Sequence, residues 1–459
     1  MLLALLCLAW QSGCEACPSW WPACESRSTY EFSNIVFITI DTLRADRLGM
    51  YGYFRDTSPI LDALASESIL FERCFAPMAT TYPSHLSLFT GTYPNETGAI
   101  ANVGDRGKAF QSTNQLRTLA QLLRGEGYRT AAFVSAAPLK RYSGLDAGFD
   151  VFTQPEGHSR RAQDTNADVF DWLDTTDEQH FFLWVHYFDP HWPYAPLPPF
   201  SDKFHSGPEL TAYLEERSFA PADDKAMATE IANNYYDAEI SYVDEQIGKL
   251  LDALRSRGND WENTIIVVLS DHGEGLGQHG ELQHGSVWNE QLHVVLFMRI
   301  PGHAPARIDR LMSVADVVPT LMGLTGLPVE DAFRRQASGL DRLSNQPGTT
   351  FILSQESSAP RRVSRRDPGP RYTLTGDEWK YVFKEGGETS LFQLSTDPHE
   401  LVDVIEDQPE VAARLRTILL TRLEEQEKRL AIHQAAGTAI DAEIDPAIIK
   451  QMRALGYIQ

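Results

Sequence analysis

Three stretches of the chain are almost continuously apolar and rich in branched or aromatic side chains. They cover residues 34–40, 181–188 and 264–270. A strand that is buried on both faces has this pattern, because neither face needs polar side chains. Each stretch is followed directly by an aspartate, which gives Asp41, Asp189 and Asp271. The pattern therefore predicts three buried strands that each deliver an acid at the carboxyl end.

Segments with helical spacing separate these strands. Ser58 and Pro59 predict a helix start, with Ser58 as the cap and Pro59 as the first helical residue. Residues 115–125 predict a second helix and residues 128–134 another strand. Residues 224–256 predict a long amphipathic helix whose apolar face is Tyr235, Ile240, Val243, Ile247, Leu250 and Leu254. This alternation predicts an α/β fold, a large mostly parallel sheet flanked by helices, with right-handed crossovers.

Residues 80–94 predict a short helix of about two turns. Pro83 suits a first helical residue and Gly91 suits the end of the helix, so Thr81 is expected just outside the N-terminus. Free backbone N–H groups and the helix dipole stabilise an anion at such a place. The plainer interpretation is a surface helix capped by the hydroxyls of Thr81 and Ser84.

The last hundred residues have a different pattern. Residues 379–383 and 390–394 predict two strands of a small antiparallel sheet, and residues 409–429 predict a helix. A basic, proline-containing loop at 357–371 precedes them. We therefore divide the chain into a leader and linker at 1–33, a catalytic α/β domain at 34–350 and a C-terminal subdomain at 351–459.

The N-terminal segment suggests export. Residues 1–10 are an apolar run of signal-peptide length that is too short to span a bilayer. Residues 12–14 resemble the end of a bacterial lipoprotein cleavage box, so we expect a periplasmic or membrane-anchored protein with a lipid anchor at Cys14. A misplaced start codon or a buried N-terminal segment are the alternatives. Cys17 and Cys24 could pair in an oxidising compartment.

The composition limits the partners. The formal net charge of −23 argues against nucleic acid and against an anionic membrane surface, because both would repel the chain at long range. An anionic substrate must therefore be attracted locally, by a metal or by His and Arg side chains.

The strand-end residues Asp41, Asp271 and His272 are candidate metal ligands. Proteins with parallel sheets bind small molecules and ions at the carboxyl ends of the strands. These three residues are expected at those ends, together with Asp189 and His191. Two carboxylates at one place repel each other unless a cation is present. Any one of these acids taken alone is more often a turn or cap residue.

The helix segment adds a resemblance. Thr81-x-Pro83-Ser84-His85, followed by Thr90-Gly91-Thr92-Tyr93-Pro94, resembles the nucleophile segment of the sulfatase family in the alkaline phosphatase superfamily. The strings at 40–46, 189–194, 270–274 and 397–400 extend the resemblance over residues 34–459. It implies the sulfatase fold and one divalent metal held by Asp41, Thr81, Asp271 and His272.

Several positions depart from the family pattern. The family has Cys or Ser, oxidised to formylglycine, where this chain has Thr81, and Arg where it has His85. Many relatives have Asp at the position of Thr42 and Lys at that of His284. The basic Gly-Lys-Trp-His segment of the family is replaced by residues 133–135. The loss of an acid at Thr42 leaves Ca²⁺ among the candidates but shifts the expectation toward Mn²⁺, Mg²⁺ or Zn²⁺.

Together these features predict a metal-dependent hydrolase of a sulfate, phosphate or phosphonate ester. In this hypothesis Thr81 is the nucleophile, His191 protonates the leaving oxygen, His85 holds Thr81 or the transferring group, and His284 contacts the anionic group. The substrate is an anionic ester of a small molecule, glycan or lipid head group. The alternatives are a sulfuric ester hydrolase that uses unmodified Thr81, and a non-catalytic relative that binds an anionic glycan or lipid head group. Retention of the metal ligands favours an enzyme.

Overall fold

The structure is a computed structural model. It describes residues 34–103, 108–176, 180–216, 225–326, 330–343, 351–357, 370–384 and 386–441, together with 444, 446, 449 and 450. The predicted leader, with Cys14, Cys17 and Cys24, lies outside these residues, as does most of the basic loop at 357–371. Export, lipidation and cysteine pairing therefore stay predictions from the sequence.

An eight-stranded sheet forms the centre of the molecule. Its strands lie in the order Ala306–Ile308, Ile69–Phe71, Leu296–Arg299, Thr264–Ser270, Asn34–Ile40, Phe181–Tyr187, Arg129–Phe133 and Val151–Thr153. The five strands from Thr264–Ser270 to Val151–Thr153 are parallel to one another. Leu296–Arg299 runs antiparallel to both strands beside it. The predicted mostly parallel α/β sheet is confirmed.

The register of the three central strands places their acids at one edge. Every residue of these strands is buried, as the apolar pattern predicts. Ile40 pairs with Tyr187 on one side and with Ser270 on the other. The residues that follow them in sequence therefore leave the sheet at the same level, and these include Asp41 and Asp271.

Helices cover both faces of the sheet. On one face, Ile35 and Phe37 belong to an apolar core with Leu86 and Phe89. On the other face, Val36 belongs to a second core, to which the helix Lys225–Ser256 contributes apolar side chains. The helices are Pro59–Ser66, Thr81–Thr90, Pro94–Thr97, Leu119–Gly125, Ala162–Thr175, Pro208–Glu216, Lys225–Ser256, Asn289–Leu292, Val317–Thr325, Glu330–Gln336 and Pro409–Ala436.

Three details differ from the sequence predictions. The second predicted helix begins at Leu119, later than residue 115. The side chain of Ser58 makes no capping bond to its helix, because its hydroxyl accepts from the backbone N–H of Gly49 at 3.3 Å. Tyr235, predicted on the apolar face of the long helix, is 42% exposed.

A four-stranded antiparallel sheet follows the eight-stranded sheet in the sequence. Its strands are Ile352–Gln355, Arg371–Thr375, Trp379–Lys384 and Ser390–Gln393. Leu415 and Leu419 of the last long helix pack on this sheet. The first strand is also tied to the segment before Thr81, because the Ser354 hydroxyl donates to the Ala76 carbonyl at 2.7 Å and Gln355 N–H donates to the Pro77 carbonyl at 2.9 Å. Within the described part of the chain, no helix has the length and apolar character needed to cross a membrane.

Candidate metal and nucleophile site

Thr81 begins a helix that is buried along its whole length. The helix covers Thr81–Thr90, and all ten residues are buried, so the interpretation as a surface helix is wrong. The predicted start at Pro83, with Thr81 just outside the helix, is wrong: Thr81 is the first helical residue, and Thr80 is the capping position. The Ser84 hydroxyl does not cap the helix; it donates to the backbone carbonyl of Asp271 at 2.7 Å. This bond fixes the helix against the strand end that carries the candidate ligands.

The helix ends where the sequence predicts. Gly91 has a φ of +69°, and a Cβ atom at this position would lie 2.7 Å from Phe333 and Ala337. A residue with a side chain would therefore be both strained and overcrowded. The tight end keeps the helix short, with Thr81 at the sheet edge.

The structure brings Asp41, Asp271 and His272 together. Each offers a ligand atom, and these atoms lie within 4.8 Å of one another. All three residues are at most 1% exposed. Both carboxylate oxygens of Asp41 and Oδ2 of Asp271 have no hydrogen-bond partner among the described residues. Buried polar atoms are almost always paired, so these oxygens fit a cation well.

The ring of His272 is oriented as a metal ligand. Its Nδ1 donates to the carbonyl oxygen of Gly273 at 2.9 Å, so Nε2 presents its lone pair. This Nε2 lies 3.7 Å from Asp41 Oδ1, 3.5 Å from Asp271 Oδ2 and 3.5 Å from Thr81 Oγ1. Burial lowers the pKa of His272 well below its ordinary value, which keeps the ring neutral. A neutral imidazole with a fixed tautomer is the form that binds metals.

Electrostatics also favour a cation. Burial raises the pKa of both Asp41 and Asp271 well above the ordinary value, and the neighbouring charges of Asp271 and Glu274 raise that of Asp41 further. A divalent ion would reverse this balance, because it stabilises the ionised carboxylates. The donor set of two carboxylates, one imidazole and one hydroxyl therefore fits a divalent metal.

Thr42, where many relatives have an acid, contributes through its backbone. Its φ is +57°, and its N–H donates to Asp271 Oδ1 at 3.2 Å. The His272 N–H donates to the same oxygen at 2.8 Å. One oxygen of Asp271 is thus held by the backbone, while the other is left for a cation.

His85 lies against the backbone of Thr81. Its Nδ1 donates to the Thr81 carbonyl at 2.7 Å, and its Nε2 lies 3.1 Å from the Thr39 hydroxyl. Trp184 donates to the same hydroxyl at 2.9 Å, so the Thr39 proton is available to His85 Nε2. Burial lowers the pKa of His85 to about 4. His85 is therefore a neutral support for Thr81, with both ring nitrogens in use.

His191 and His284 extend the site away from the sheet. The His284 ring lies 4.4 Å from the His272 ring and 5.1 Å from the His191 ring. The His284 Nδ1 lies 3.3 Å from Glu274 Oε1. The His191 ring stacks on Phe188 with 4.5 Å between ring centres, and its Nδ1 donates to the Trp192 carbonyl. Burial, followed by the nearby His284, lowers the pKa of His191 well below its ordinary value.

His279, in the short turn Gln278–Gly280, is a structural residue. Its ring stacks on Trp288 at 4.0 Å, and its Nδ1 contacts Glu290 Oε1 at 2.9 Å. Its other nitrogen contacts the Glu400 carbonyl at 3.3 Å. Glu400, which follows the four-stranded sheet, therefore supports the loop that carries His284.

A buried ion pair strengthens this support. Lys380 Nζ donates to the Val287 carbonyl at 2.7 Å and to Asn289 Oδ1 at 2.8 Å, and it pairs with Glu400. The side chains of Lys380 and Glu400 are both fully buried. Removal of either partner would leave an uncompensated charge.

Two buried site residues were not singled out from the sequence. Glu274 belongs to the family-like string at 270–274, and His186 is a polar residue near the end of an apolar strand. Both are 0% exposed, and His186 lies 5.1 Å from His85 between ring centres. A polar residue in a fully buried strand is the signal that could have found His186.

The fold and these residues together define the class of protein. A largely parallel sheet brings two carboxylates, an imidazole and a helix-terminal hydroxyl to its carboxyl edge, where α/β proteins bind their ligands. The Sulfatase family model matches residues 33–327. The chain therefore belongs to the sulfatase family, within the alkaline phosphatase superfamily, and is a hydrolase of sulfuric or phosphoric esters.

Individual relatives are distant but cover most of the chain. An arylsulfatase from Clostridium perfringens is 24% identical over 86% of this chain and 95% of its own length. A choline-sulfatase from Rhizobium meliloti is 25% identical over 82% of each chain. The crystal structure of a phosphonate monoester hydrolase from Agrobacterium radiobacter superposes with a TM-score of 0.67, at 21% identity, over 86% of this chain and 96% of that one. The last comparison concerns the fold alone.

Proposed function

We propose that this protein is a metal-dependent hydrolase in which the unmodified hydroxyl of Thr81 is the nucleophile. The observation that carries the proposal is the position of Thr81 Oγ1, 3.5 Å from His272 Nε2, at the start of a buried helix. Three carboxylate oxygens without partners lie on the adjoining acids. A nucleophile beside a cation site is the arrangement that hydrolysis of an anionic ester needs.

Asp41, Asp271, His272 and Thr81 would hold the cation. When bound, a divalent ion would lower the pKa of the hydroxyl and neutralise charge on the ester oxygens that do not bridge to the leaving group. The retained donor set includes one imidazole and lacks an acid at Thr42, which favours Mn²⁺, Mg²⁺ or Zn²⁺ while leaving Ca²⁺ as a candidate.

The protein's own groups complete the transfer. The Thr81 hydroxyl loses its proton to solvent, and its oxygen forms a bond to phosphorus or sulfur as the bond to the leaving oxygen breaks. The leaving oxygen takes a proton from His191 and departs as an alcohol. Since the Nδ1 hydrogen of His191 is engaged by Trp192, that proton must come from Nε2 of a doubly protonated ring. A bound anionic ester would favour this form. Water then attacks the phosphorus or sulfur, the bond to Thr81 breaks, and the acid anion is released. One proton of the water passes to the Thr81 oxygen, and His191 regains its proton from solvent.

His85 and His284 have supporting parts in this scheme. His85 fixes the Thr81 backbone through the bond to its carbonyl, which orients the hydroxyl. His284 lies between the rings of His272 and His191, so it is placed to contact the transferring group.

We propose a preference for phosphate or phosphonate esters over sulfate esters. Formylglycine is an aldehyde formed from the CH₂ group of Cys or Ser, whereas Thr81 carries a methyl group on that carbon. The same oxidation would give a ketone, which cannot play the same part. A phosphonate monoester hydrolase among the structural neighbours fits this proposal, whereas the arylsulfatase and choline-sulfatase relatives favour a sulfuric ester hydrolase as the second candidate. In either case the substrate is an anionic ester of a small molecule, glycan or lipid head group.

The test combines mass spectrometry with a substrate panel. We expect the peptide that contains residue 81 to have the mass of unmodified threonine. Aryl phosphate mono- and diesters and phosphonates should be hydrolysed faster than aryl sulfates, with a divalent metal present. Thr81→Ala should abolish turnover, while Ser87→Ala should retain it, because the Ser87 hydroxyl only donates to the Pro83 carbonyl within the same helix.

The outcomes separate the candidates. Faster hydrolysis of sulfate esters with intact Thr81 would favour the sulfuric ester hydrolase. Full activity of the alanine variant would show that Thr81 is not the nucleophile. Metal binding without turnover of any ester would favour the non-catalytic anion-binding protein.

A further inference from the structure

His186 is a buried polar residue beside the metal site that the mechanism above does not use. It lies in the Phe181–Tyr187 strand and pairs with Thr39 of the neighbouring strand, two residues before Asp41. The side chain is fully buried. A buried imidazole costs free energy unless its nitrogens have partners, so the surroundings of each nitrogen are informative.

One nitrogen of His186 has a partner that fixes the tautomer. The backbone N–H of Ser135 donates to His186 Nδ1 at 3.3 Å. A nitrogen that accepts a hydrogen bond carries no hydrogen, so in the neutral ring Nε2 carries it. The Ser135 hydroxyl also donates to the His186 carbonyl, at 2.5 Å, and holds the residue at its backbone.

The other nitrogen faces Asp41. His186 Nε2 lies 3.7 Å from Asp41 Oδ2, and neither atom has a hydrogen-bond partner among the residues that the structure describes. On the opposite side of the carboxylate, Asp41 Oδ1 lies 3.7 Å from His272 Nε2. The two oxygens of Asp41 therefore face different groups, a ring N–H on one side and a ring lone pair on the other.

We propose that His186 is a positioning residue for Asp41. Its Nε2–H attracts Oδ2 and thereby turns Oδ1 toward the position between His272 and Asp271, where a cation would bind. Carboxylates that bind metals are commonly oriented by such donors in the surrounding shell. Without the donor, Asp41 could rotate away from the site, because no other described group holds either of its oxygens.

The inference also accounts for a departure from the family pattern. Ser135 belongs to the segment that replaces the family's basic Gly-Lys-Trp-His string, and it is the residue that sets the tautomer of His186. His85, which replaces an arginine, packs against His186. Two altered positions therefore support one neutral imidazole beside Asp41.

The experiment compares two amide substitutions of His186 in the full-length protein. The amide of Asn reaches the position of the ring Nδ1 and could keep the Ser135 contact, whereas the longer Gln reaches the position of Nε2 and could keep the donor toward Asp41. The dissociation constant for Mn²⁺ and for Zn²⁺ is measured by competition with a chelating dye, without any substrate. We expect His186→Asn to raise it by about 10- to 100-fold. We expect His186→Gln to stay within about threefold of the unaltered protein.

The control is Tyr187→Phe, which removes a buried hydroxyl from the next position of the same strand. That hydroxyl donates to Asn166 at 2.6 Å, on the other face of the sheet. The substitution should lower the melting temperature without changing the metal affinity. If His186 is merely structural, His186→Asn will behave in the same way, and the inference is overturned.

A measurement on the unaltered protein covers the case in which His186→Asn does not fold. With ¹⁵N-labelled histidine, His186 should show a hydrogen on Nε2 in the metal-free protein, and its signal should shift when Zn²⁺ is added. A hydrogen on Nδ1 would overturn the inference.

The inference rests on the proposed metal site, but different results would refute the metal site and the role of His186. No binding of any divalent ion by the unaltered protein would refute both, whereas equal binding by all variants would refute only the role of His186.

Discussion

Replacement of Asp41 by asparagine should make the metal-free protein more stable while abolishing metal binding. Asp41 and Asp271 place ligand oxygens within 4.8 Å of each other in a fully buried site. Without a cation, the folded protein must either hold two facing negative charges or keep a proton that the solvent would otherwise remove. Asparagine has nearly the same shape and carries no charge, so the substitution isolates this cost.

Coulomb's law gives the size of the effect. At 4.8 Å, the upper limit of the separation between these ligand atoms, two unit charges interact by about 3.5 kcal/mol at an effective dielectric constant of about 20. The raised pKa of Asp41 also predicts that this carboxyl group destabilises the metal-free protein at high pH. An acid that holds its proton more tightly in the folded state makes the protein less stable as the pH rises through the folded-state pKa. With an unfolding entropy of about 2.1 cal/mol/K per residue, this energy corresponds to an increase of roughly 3 to 4 °C in the melting temperature.

The assay is thermal unfolding at pH 8, with a chelator and then with Mn²⁺ or Zn²⁺. The unaltered protein should gain about 2.7 kcal/mol when the metal is present at about one hundred times its dissociation constant. In the presence of the chelator, Asp41→Asn should have a higher melting temperature than the unaltered protein, and adding metal should not change it.

The matched control is the same Asp-to-Asn change at Asp316, where the melting temperature should change in the opposite direction. Asp316 is also fully buried, but it is paired with Arg342 and accepts from the backbone N–H groups of Ser313 and Leu340. Asp316→Asn should therefore lower the melting temperature, because it leaves a buried charge without its partner. A lower melting temperature for metal-free Asp41→Asn, or a retained response to metal, would refute the assignment of Asp41 as a ligand.

Three further predictions concern the departures from the family pattern and the leader. Thr81→Cys combined with His85→Arg rebuilds the maturation string of the family, and with the formylglycine-forming machinery it should gain sulfatase activity; no gain would contradict the proposed reason for the phosphate preference. Burial lowers the pKa of His85 to about 4 in the folded protein. Below about pH 6.5 the unfolded chain therefore binds more protons at this residue than the folded protein does. The free energy of unfolding should consequently fall by up to about 3.4 kcal/mol between pH 7 and pH 4. His85→Asn should lack this contribution in chemical denaturation of the metal-free protein, and an identical pH dependence would show that His85 is not buried in the neutral form. Cys14→Ser should abolish membrane association if the leader carries a lipid anchor, and recovery of the full-length chain from the cytoplasm with Met1 retained would contradict export.

The sequence was sufficient to predict the central strands and the residues at their ends. Strands that are apolar on both faces predict a buried parallel sheet. Parallel strands that pair in register bring Asp41, Asp271 and His272 to one edge of that sheet. Pro83 and Gly91 predict a short helix here and its end, but the helix begins two residues earlier than predicted, at Thr81. Its complete burial was not predicted, because short helices show only a weak pattern of apolar positions.

The remaining features depend on contacts between distant segments. The role of His186 follows from Ser135 on one strand and Asp41 on another, and neither spacing along the chain nor composition carries that information. The same holds for Lys380 and Glu400, which meet a loop about a hundred residues earlier in the sequence. Local chemistry identifies the ligands, whereas the tautomers and supports of the site are set by tertiary structure.

The support from Lys380 and Glu400 has a consequence for the order in which the protein is completed. All the predicted metal ligands have been synthesised once the ribosome passes His272, and the family match itself ends at residue 327. Yet the loop that carries His284 is anchored to residues from the C-terminal subdomain. A nascent chain halted before Trp379 would have the ligands and the nucleophile but not the anchor of this loop. We therefore expect the loop that carries His284 to reach its final position only late in translation. Expression of the family-matched region alone should give a protein in which this loop lacks its contacts with Lys380 and Glu400.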